Sequence, residues 1–231
     1  DVLDAPAQMS ELAVQGMLTG LTHAGERLIV VGQRGHILYS DNAGQHWQQA
    51  SVPVSSDLIA VHFPTPQQGW AVGHDGVVLH SRDAGETWSR QLDGRQLGPL
   101  MLAHYQKLAT EKPDDAALAA LVNESQRVAV EGADKPFLDV WFENEQVGYI
   151  VGAFNLIFRT ADGGQHWTPW LERTANPSFL HLYALRPVGQ ELFIVGEQGL
   201  VLKLDANAGR FNATPTPYTG TFFGIVGKPG V

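Results

Sequence analysis

Apolar residues along this chain come in short runs separated by small polar clusters. The run LIAVHF from Leu58 is followed by GWAVG from Gly69 and VVLHS from Val77, each bounded by Gly, Asp, Ser or Pro. Runs of this kind predict antiparallel strands, because β-branched and aromatic side chains suit a pleated surface and the punctuating residues suit tight turns. A fourth strand is expected to start at Trp88. One stretch departs from the pattern. Between Trp88 and Phe137 the apolar positions fall three and four apart: Leu97, Leu100, Met101, His104, Tyr105 and Leu108, then, beyond Pro113, Leu118, Leu121, Val122, Ser125, Val128 and Ala129. That period predicts two amphipathic helices within residues 97–135, the second started by Asp114 and Asp115 and stopped at Gly132.

The strand unit repeats. VGQRGHILYSDNAGQHW from Val31, VGHDGVVLHSRDAGETW from Val72 and VGAFNLIFRTADGGQHW from Val151 align without gaps, and VGEQGLVLKLDANAGRF from Val195 keeps the first half. Successive starts are 41, 79 and 44 residues apart. The helical stretch is therefore an insertion between the second and third units of a repeat of about 42 residues, and four strands in that length make one β-propeller blade. The expected fold is all-β: one propeller domain over residues 1–231, with four blades and a helical hairpin between blades 2 and 3. Phe222, Phe223, Gly224 and Ile225 align with Leu182, Tyr183, Ala184 and Leu185, which predicts the first strand of a fifth blade and a parent protein with more blades.

Two turn motifs mark each unit. V-G-x-x-G joins the second strand to the third, its glycines permitting the positive φ of tight hairpins. The expected tips are Gln33-Arg34, His74-Asp75, Phe154-Asn155 and Glu197-Gln198. The second motif, S/T-x-D-x-G-x-x-W, joins the third strand to the fourth. Its copies are Ser81, Asp83, Gly85 and Trp88; Thr160, Asp162, Gly164 and Trp167; and Ser40, Asn42, Gly44 and Trp47. A short Asp or Asn side chain accepts hydrogen bonds from the turn's own N–H groups, Gly takes the left-handed conformation, and Trp covers the hairpin. The motif resembles the Asp-box, or bacterial neuraminidase repeat, and the resemblance implies turn-makers, not catalytic acids.

In an up-and-down blade the link from a fourth strand to the next first strand lies on the same face as the second-to-third turn. The inserted helices should share that face with the V-G-x-x-G tips, leaving the Asp-boxes opposite. Loops on a rigid scaffold carry recognition. The candidate partner-binding set is therefore the four tip pairs together with Leu100, His104, Leu108, Leu118 and Leu121.

Charge and composition narrow the classes. Twenty-four acidic against 15 basic side chains give −9, with no Lys/Arg cluster to gather a phosphate backbone, so nucleic acid is not an expected partner. No apolar run approaches the roughly 20 residues of a membrane-spanning helix. There is no Cys, which removes thiolate chemistry. The start at Asp1, with neither Met nor a basic apolar leader, matches a mature exported protein. Nine His include no H-E-x-x-H, and His74-Asp75 is the one pair placed like a ligand set. No nucleophile elbow, phosphate loop or dinucleotide fingerprint is present. The Arg-Ile-Pro motif of sialidases is absent and the arginines are irregularly spaced. No catalytic residue, cofactor or metal is expected, and a glycan-binding or sialidase-like propeller is the alternative.

QQGWAVGHDGVVLHSRDAGETW from Gln67 and EQVGYIVGAFNLIFRTADGGQHW from Glu145 resemble the photosystem II stability and assembly factor family, across nearly the whole chain outside the insertion. The resemblance implies a seven-bladed, non-enzymatic propeller that holds a membrane protein on the lumenal or periplasmic side. The insertion and DKPFLDVWF from Asp134 are similar to the branch found in non-photosynthetic proteobacteria. That likeness implies a periplasmic location, with an integral membrane complex of the resistance-nodulation-division (RND) transporter class as partner.

Overall fold

The computed structural model describes residues 1–227. Its strands form four separate antiparallel sheets, each of four strands in sequence order. Blade 1 comprises β1 (Leu18–Ala24), β2 (Arg27–Gly32), β3 (Ile37–Ser40) and β4 (Gln48–Gln49); blade 2 comprises β5 (Leu58–His62), β6 (Gly69–Gly73), β7 (Val78–Ser81) and β8 (Ser89–Leu92). Helices α1 (Gly94–Glu111) and α2 (Ala116–Glu131) follow. Blade 3 is β9 (Phe137–Phe142), β10 (Gly148–Gly152), β11 (Ile157–Thr160) and β12 (Thr168–Pro169), and blade 4 is β13 (Leu182–Val188), β14 (Glu191–Gly196), β15 (Val201–Asp205) and β16 (Arg210–Ala213). The multi-bladed all-β architecture expected from the repeat is present.

The first strands β1, β5, β9 and β13 are the inner strands, neighbouring one another in order. Each junction is stitched by a polar side chain. Thr19 donates its hydroxyl to the Leu58 carbonyl at 2.6 Å. His62 Nδ1 accepts the Phe142 N–H at 3.1 Å. Asp139 accepts the Leu185 N–H at 2.7 Å and pairs with Arg186. Burial, with a smaller push from Arg186, takes His62 down to about 4, so the ring is neutral at pH 7 and its Nδ1 lone pair is free to accept. Between blades 2 and 3, Trp70 is fully buried with its ring stacked on His80 at 4.4 Å and Phe142 at 3.6 Å. Its indole N–H reaches Gln91, which in turn donates to the Gly163 carbonyl at 2.8 Å.

The V-G-x-x-G turns differ from expectation in detail. Their two left-handed residues are the last two: Arg34-Gly35, Asp75-Gly76, Phe154-Asn155 and Gln198-Gly199, all at φ between 52° and 75°. Asn155 therefore occupies the glycine position of its unit, where Asn is tolerated. The first glycine of each motif is extended and serves close approach. A Cβ on Gly73 would lie 2.1 Å from the Asp57 carbonyl oxygen, and that carbonyl accepts the His74 N–H at 2.8 Å.

At the C-terminal end, residues 221–227 form no ladder, so the expected strand at 222–225 is not formed. The segment is held by the Phe222 N–H on the Gly196 carbonyl at 2.9 Å. Phe223, Gly224 and Ile225 nevertheless line a cavity of about 410 Å³ between the inner strands, beside residues of β1, β5, β9 and β13. The inner-strand position is taken up without the second strand whose N–H and C=O groups would make it a sheet. Residues 228–231 lie outside the described residues.

Candidate partner-binding face

The hairpin starts earlier than its apolar period indicated. Asp93 is buried and caps α1, accepting the Arg95 N–H at 3.0 Å while the Gln96 side chain accepts the Asp93 N–H at 3.0 Å. This reciprocal box moves the start from residue 97 to Gly94. Asp115 caps α2 through the Ala117 and Leu118 N–H groups, and the helix ends at Glu131, with Gly132 left-handed behind it. The stop at Gly132 is the expected one, and residues 132–136 lead without helix into β9. Gly98 lets the helices cross closely, since a Cβ there would meet the Ala129 Cα at 2.3 Å.

The hairpin is fastened to the propeller at three places. At its start, Gly94 lies against Gly76 of the second V-G-x-x-G turn, where a Cβ on Gly76 would come within 2.8 Å of the Gly94 Cα. In the middle, the buried Tyr105 hydroxyl accepts the Leu171 N–H at 3.0 Å and donates to Glu172 Oε2 at 3.0 Å. Burial and the Glu172 charge both raise the Tyr105 hydroxyl, keeping it protonated as this geometry requires. Burial alone would push the Glu172 carboxyl up. Hydrogen bonding and the nearby His104 outweigh it, leaving the group below its ordinary value. At its end, Phe154 of the third turn lies beneath Arg127 and Lys135, 5.7 and 5.5 Å from the ring centre. The inserted helices thus share a face with the His74–Gly76 and Ala153–Asn155 turns.

Residues 1–10 form an unanticipated strap beside this face. Leu3 is buried, Ala7 donates its N–H to the Val52 carbonyl at 3.0 Å, and Asp4 pairs with Arg95 at 3.0 Å.

The candidate residues separate into two groups. Arg34, His74 and Gln198 are exposed, Phe154 is 41% and Leu100 37% exposed, and Gln33, Asp75, His104, Leu108 and Glu197 are half-buried. Leu118 and Leu121 are in the core with Leu97, Met101, Tyr105 and Val128, so the stripe they belong to holds the hairpin to the propeller, and only the edges of these two leucines reach a surface, in the groove beside the hairpin. Asn155 is also buried: its side chain bonds Thr174 and Asn176 at 2.9 Å and fixes the turn to the next loop. His104 Nε2 stands 3.9 Å from Glu172 Oε1, beyond hydrogen-bond reach.

The Asp-boxes are occupied by their own turns. Asp83 Oδ1 accepts the Thr87 N–H at 2.9 Å and the Ser81 hydroxyl at 2.9 Å, and Ser81 Oγ accepts the Gly85 N–H at 2.9 Å. Thr160, Asp162, Gly164 and His166 repeat the arrangement, as do Ser40, Asn42, Gly44 and His46. Ala84-Gly85, Gly163-Gly164 and Ala43-Gly44 are all left-handed. Trp88 and Trp167 are buried, and Trp47 half-buried. In blade 4, Asp205 makes a simpler turn by accepting the Asn207 and Ala208 N–H groups.

Beside the hairpin lies a groove of about 800 Å³, bounded by Leu108, Lys112, Asp115, Leu118 and Leu121 on the helices and by residues 171–177, Phe179 and Arg210 on blades 3 and 4. Sequence reasoning named its apolar helix residues but none of its cations. Lys112, Arg173 and Arg210 are far apart in the chain and follow no period; only the packing of α1 and α2 on blade 3 brings them together.

Four antiparallel blades with three Asp-box turns define an Asp-box β-propeller. The model of the family described as photosynthesis system II assembly factor YCF48 matches residues 7–105 and 118–213, and the chain belongs to that family. The stretch left unmatched, 106–117, is the tip of the hairpin. The chloroplastic photosystem II stability/assembly factor HCF136 of Oryza sativa subsp. japonica is 28% identical over 149 residues, covering 58% of this chain and 35% of the rice protein. The photosystem II assembly lipoprotein Ycf48 of Nostoc sp. is 30% identical over 91 residues, covering 38% and 26%. Among solved structures, YCF48 bound to D1 peptide superposes with a TM-score of 0.55 at 16% identity over 86% of this chain and 54% of that one. The GH74 enzyme of Niastella koreensis gives 0.57 at 15% identity over 90% and 31%. Both show the fold alone. The chain spans about a third of the rice relative and about half of the solved YCF48 chain.

Proposed function

We propose that this chain is an exported, non-enzymatic propeller that holds an integral membrane protein complex as an accessory or assembly subunit, using the face that bears the hairpin. The observation that carries the reading is the rigid seating of the inserted helices on the V-G-x-x-G turns, which builds a shaped surface where blade loops lie. Its family consists of assembly factors, and a solved relative is described as bound to D1 peptide. Relatives named lipoproteins support export. The partner is an RND-class transporter, met on the periplasmic side; the likeness of the insertion and of residues 134–142 to the non-photosynthetic branch supports this. Co-purification from detergent-solubilised membranes, with the hairpin present or replaced by a short linker, tests the role of the face: recovery of a transporter only with the hairpin is expected, and equal recovery would reject it.

The alternative is a glycan-binding or glycan-cleaving propeller. Against it, Asp139 is the one carboxylate lining the cavity between the inner strands among the described residues, and Arg186 and two backbone N–H groups hold it. Glycoside hydrolysis ordinarily needs two opposed carboxylates. A fluorogenic glycoside panel tests this directly, with no turnover expected.

A further inference from the structure

We infer that the groove between the hairpin and residues 171–179 is the seat for a peptide segment of the partner that combines apolar side chains with a carboxylate. The inference rests on the proposed function and deepens it by giving the partner's contact a chemistry.

The groove has an apolar floor of Leu108, Leu118, Leu121, Leu171 and Phe179, and its volume lies in the range that seats a ligand of several side chains. Its lining carries Lys112, Arg173 and Arg210 against Asp115 and Glu172, an excess of one positive charge in a chain that as a whole carries −9. Both carboxylates of the lining are engaged: Asp115 caps α2, and Glu172 receives the Tyr105 hydroxyl and Arg173. Lys112, at the C-cap of α1, and Arg210, on β16, are exposed and form no ion pair among the described residues. An apolar slot with two uncommitted cations at its rim complements an acidic, apolar peptide and repels a basic one.

The walls are fixed before anything binds. Asn155, Thr174 and Asn176 hydrogen-bond one another at 2.9 to 3.1 Å and hold residues 174–180 in place, through the Asn176 side chain on the Leu180 carbonyl and N–H. Such a site gives up little ordering entropy on binding. The segment 106–117, unmatched by the family model, supplies Leu108, Lys112, Asp115 and Ala117 to the lining. The groove is thus built partly from what this chain adds to the shared propeller.

The test uses the full chain and three fluorescein-labelled twelve-residue peptides, one alternating Leu with Glu, one Leu with Lys and one Ser with Glu, read by fluorescence anisotropy. The Leu/Glu peptide alone should bind, and Lys112→Glu with Arg210→Glu should weaken it at least about tenfold. Arg82→Glu, on the Asp-box face, should leave binding unchanged. Equal binding of the Leu/Lys peptide, binding that survives the double reversal, or no binding of the Leu/Glu peptide would each overturn the inference. Membrane co-purification separates the two levels. A transporter recovered equally by the wild-type chain and the double reversal overturns the groove and leaves the accessory role standing, whereas no recovery by the wild-type chain overturns the accessory role itself.

Discussion

Replacing Tyr105 by Phe removes one oxygen from the joint between hairpin and propeller. The Leu171 N–H then loses its acceptor inside a buried site, and Glu172, with its side chain 19% exposed, loses a donor. A buried unsatisfied N–H costs about 1–3 kcal/mol and a hydrogen bond to a charged group contributes about 1.5–3 kcal/mol. Partial access of water to Glu172 favours the lower ends, so the expected loss is about 2–4 kcal/mol. For a chain of this size that lowers Tm by roughly 4–15 °C. Scanning calorimetry reads the shift, and hydrogen exchange at the Leu171 amide reports the same joint locally. Tyr183→Phe is the control, because that hydroxyl makes no side-chain hydrogen bond among the described residues, and its Tm should hold. The pH dependence has a definite sign. Glu172 lies below its ordinary 4.5 in the folded chain, so its contribution is present above that value and lost as pH falls through the folded pKa. The gap between wild type and Tyr105→Phe should therefore narrow below pH 4.5. A Tm change under about 1 °C at pH 7 would refute the role given to the hydroxyl.

Gly73→Ala should destabilise by about 1–3 kcal/mol or more, since the new methyl would meet the Asp57 carbonyl oxygen at 2.1 Å with backbone on both sides; urea denaturation measures it. Asp83→Ala removes the acceptor for the Thr87 N–H and hydroxyl and should cost about 1 kcal/mol, with membrane co-purification unchanged because the residue is on the opposite face. Acid should weaken the propeller from pH 6.5 downward: His62 stays neutral when folded until about 4, so the unfolded chain binds the proton first and stability falls across that window. Urea midpoints between pH 4 and 7 would show this slope, reduced in His62→Gln.

The blades were legible because each is a local object. GWAVG became β6 residue for residue, and Ser81, Asp83 and Gly85 form the turn their types require. The start of α1 was also written locally, in Asp93 and Gln96, but as a capping pair outside the apolar period. Asn155 was misjudged because Phe154-Asn155 sits one place further along its motif than Gln33-Arg34 does; it replaces a glycine and is drawn inward to Thr174 and Asn176. What joins the parts was not legible. Tyr105 meets Leu171, His62 meets Phe142, Asp4 meets Arg95, and Lys112 comes to one groove with Arg210. No spacing rule links residues so far apart. A helical period marks Leu118 and Leu121 as one face and cannot say whether that face meets the propeller or a partner.

The central claim is that recognition belongs to the face carrying the hairpin. A photo-crosslinking residue placed singly at Leu100 and Phe154 on that face, and at Glu86 and Gln165 on the Asp-box face, tests it in intact cells with adducts identified by mass spectrometry. The account predicts adducts to an integral membrane protein from Leu100 and Phe154 and none from Glu86 or Gln165. Adducts confined to Glu86 and Gln165 would contradict it.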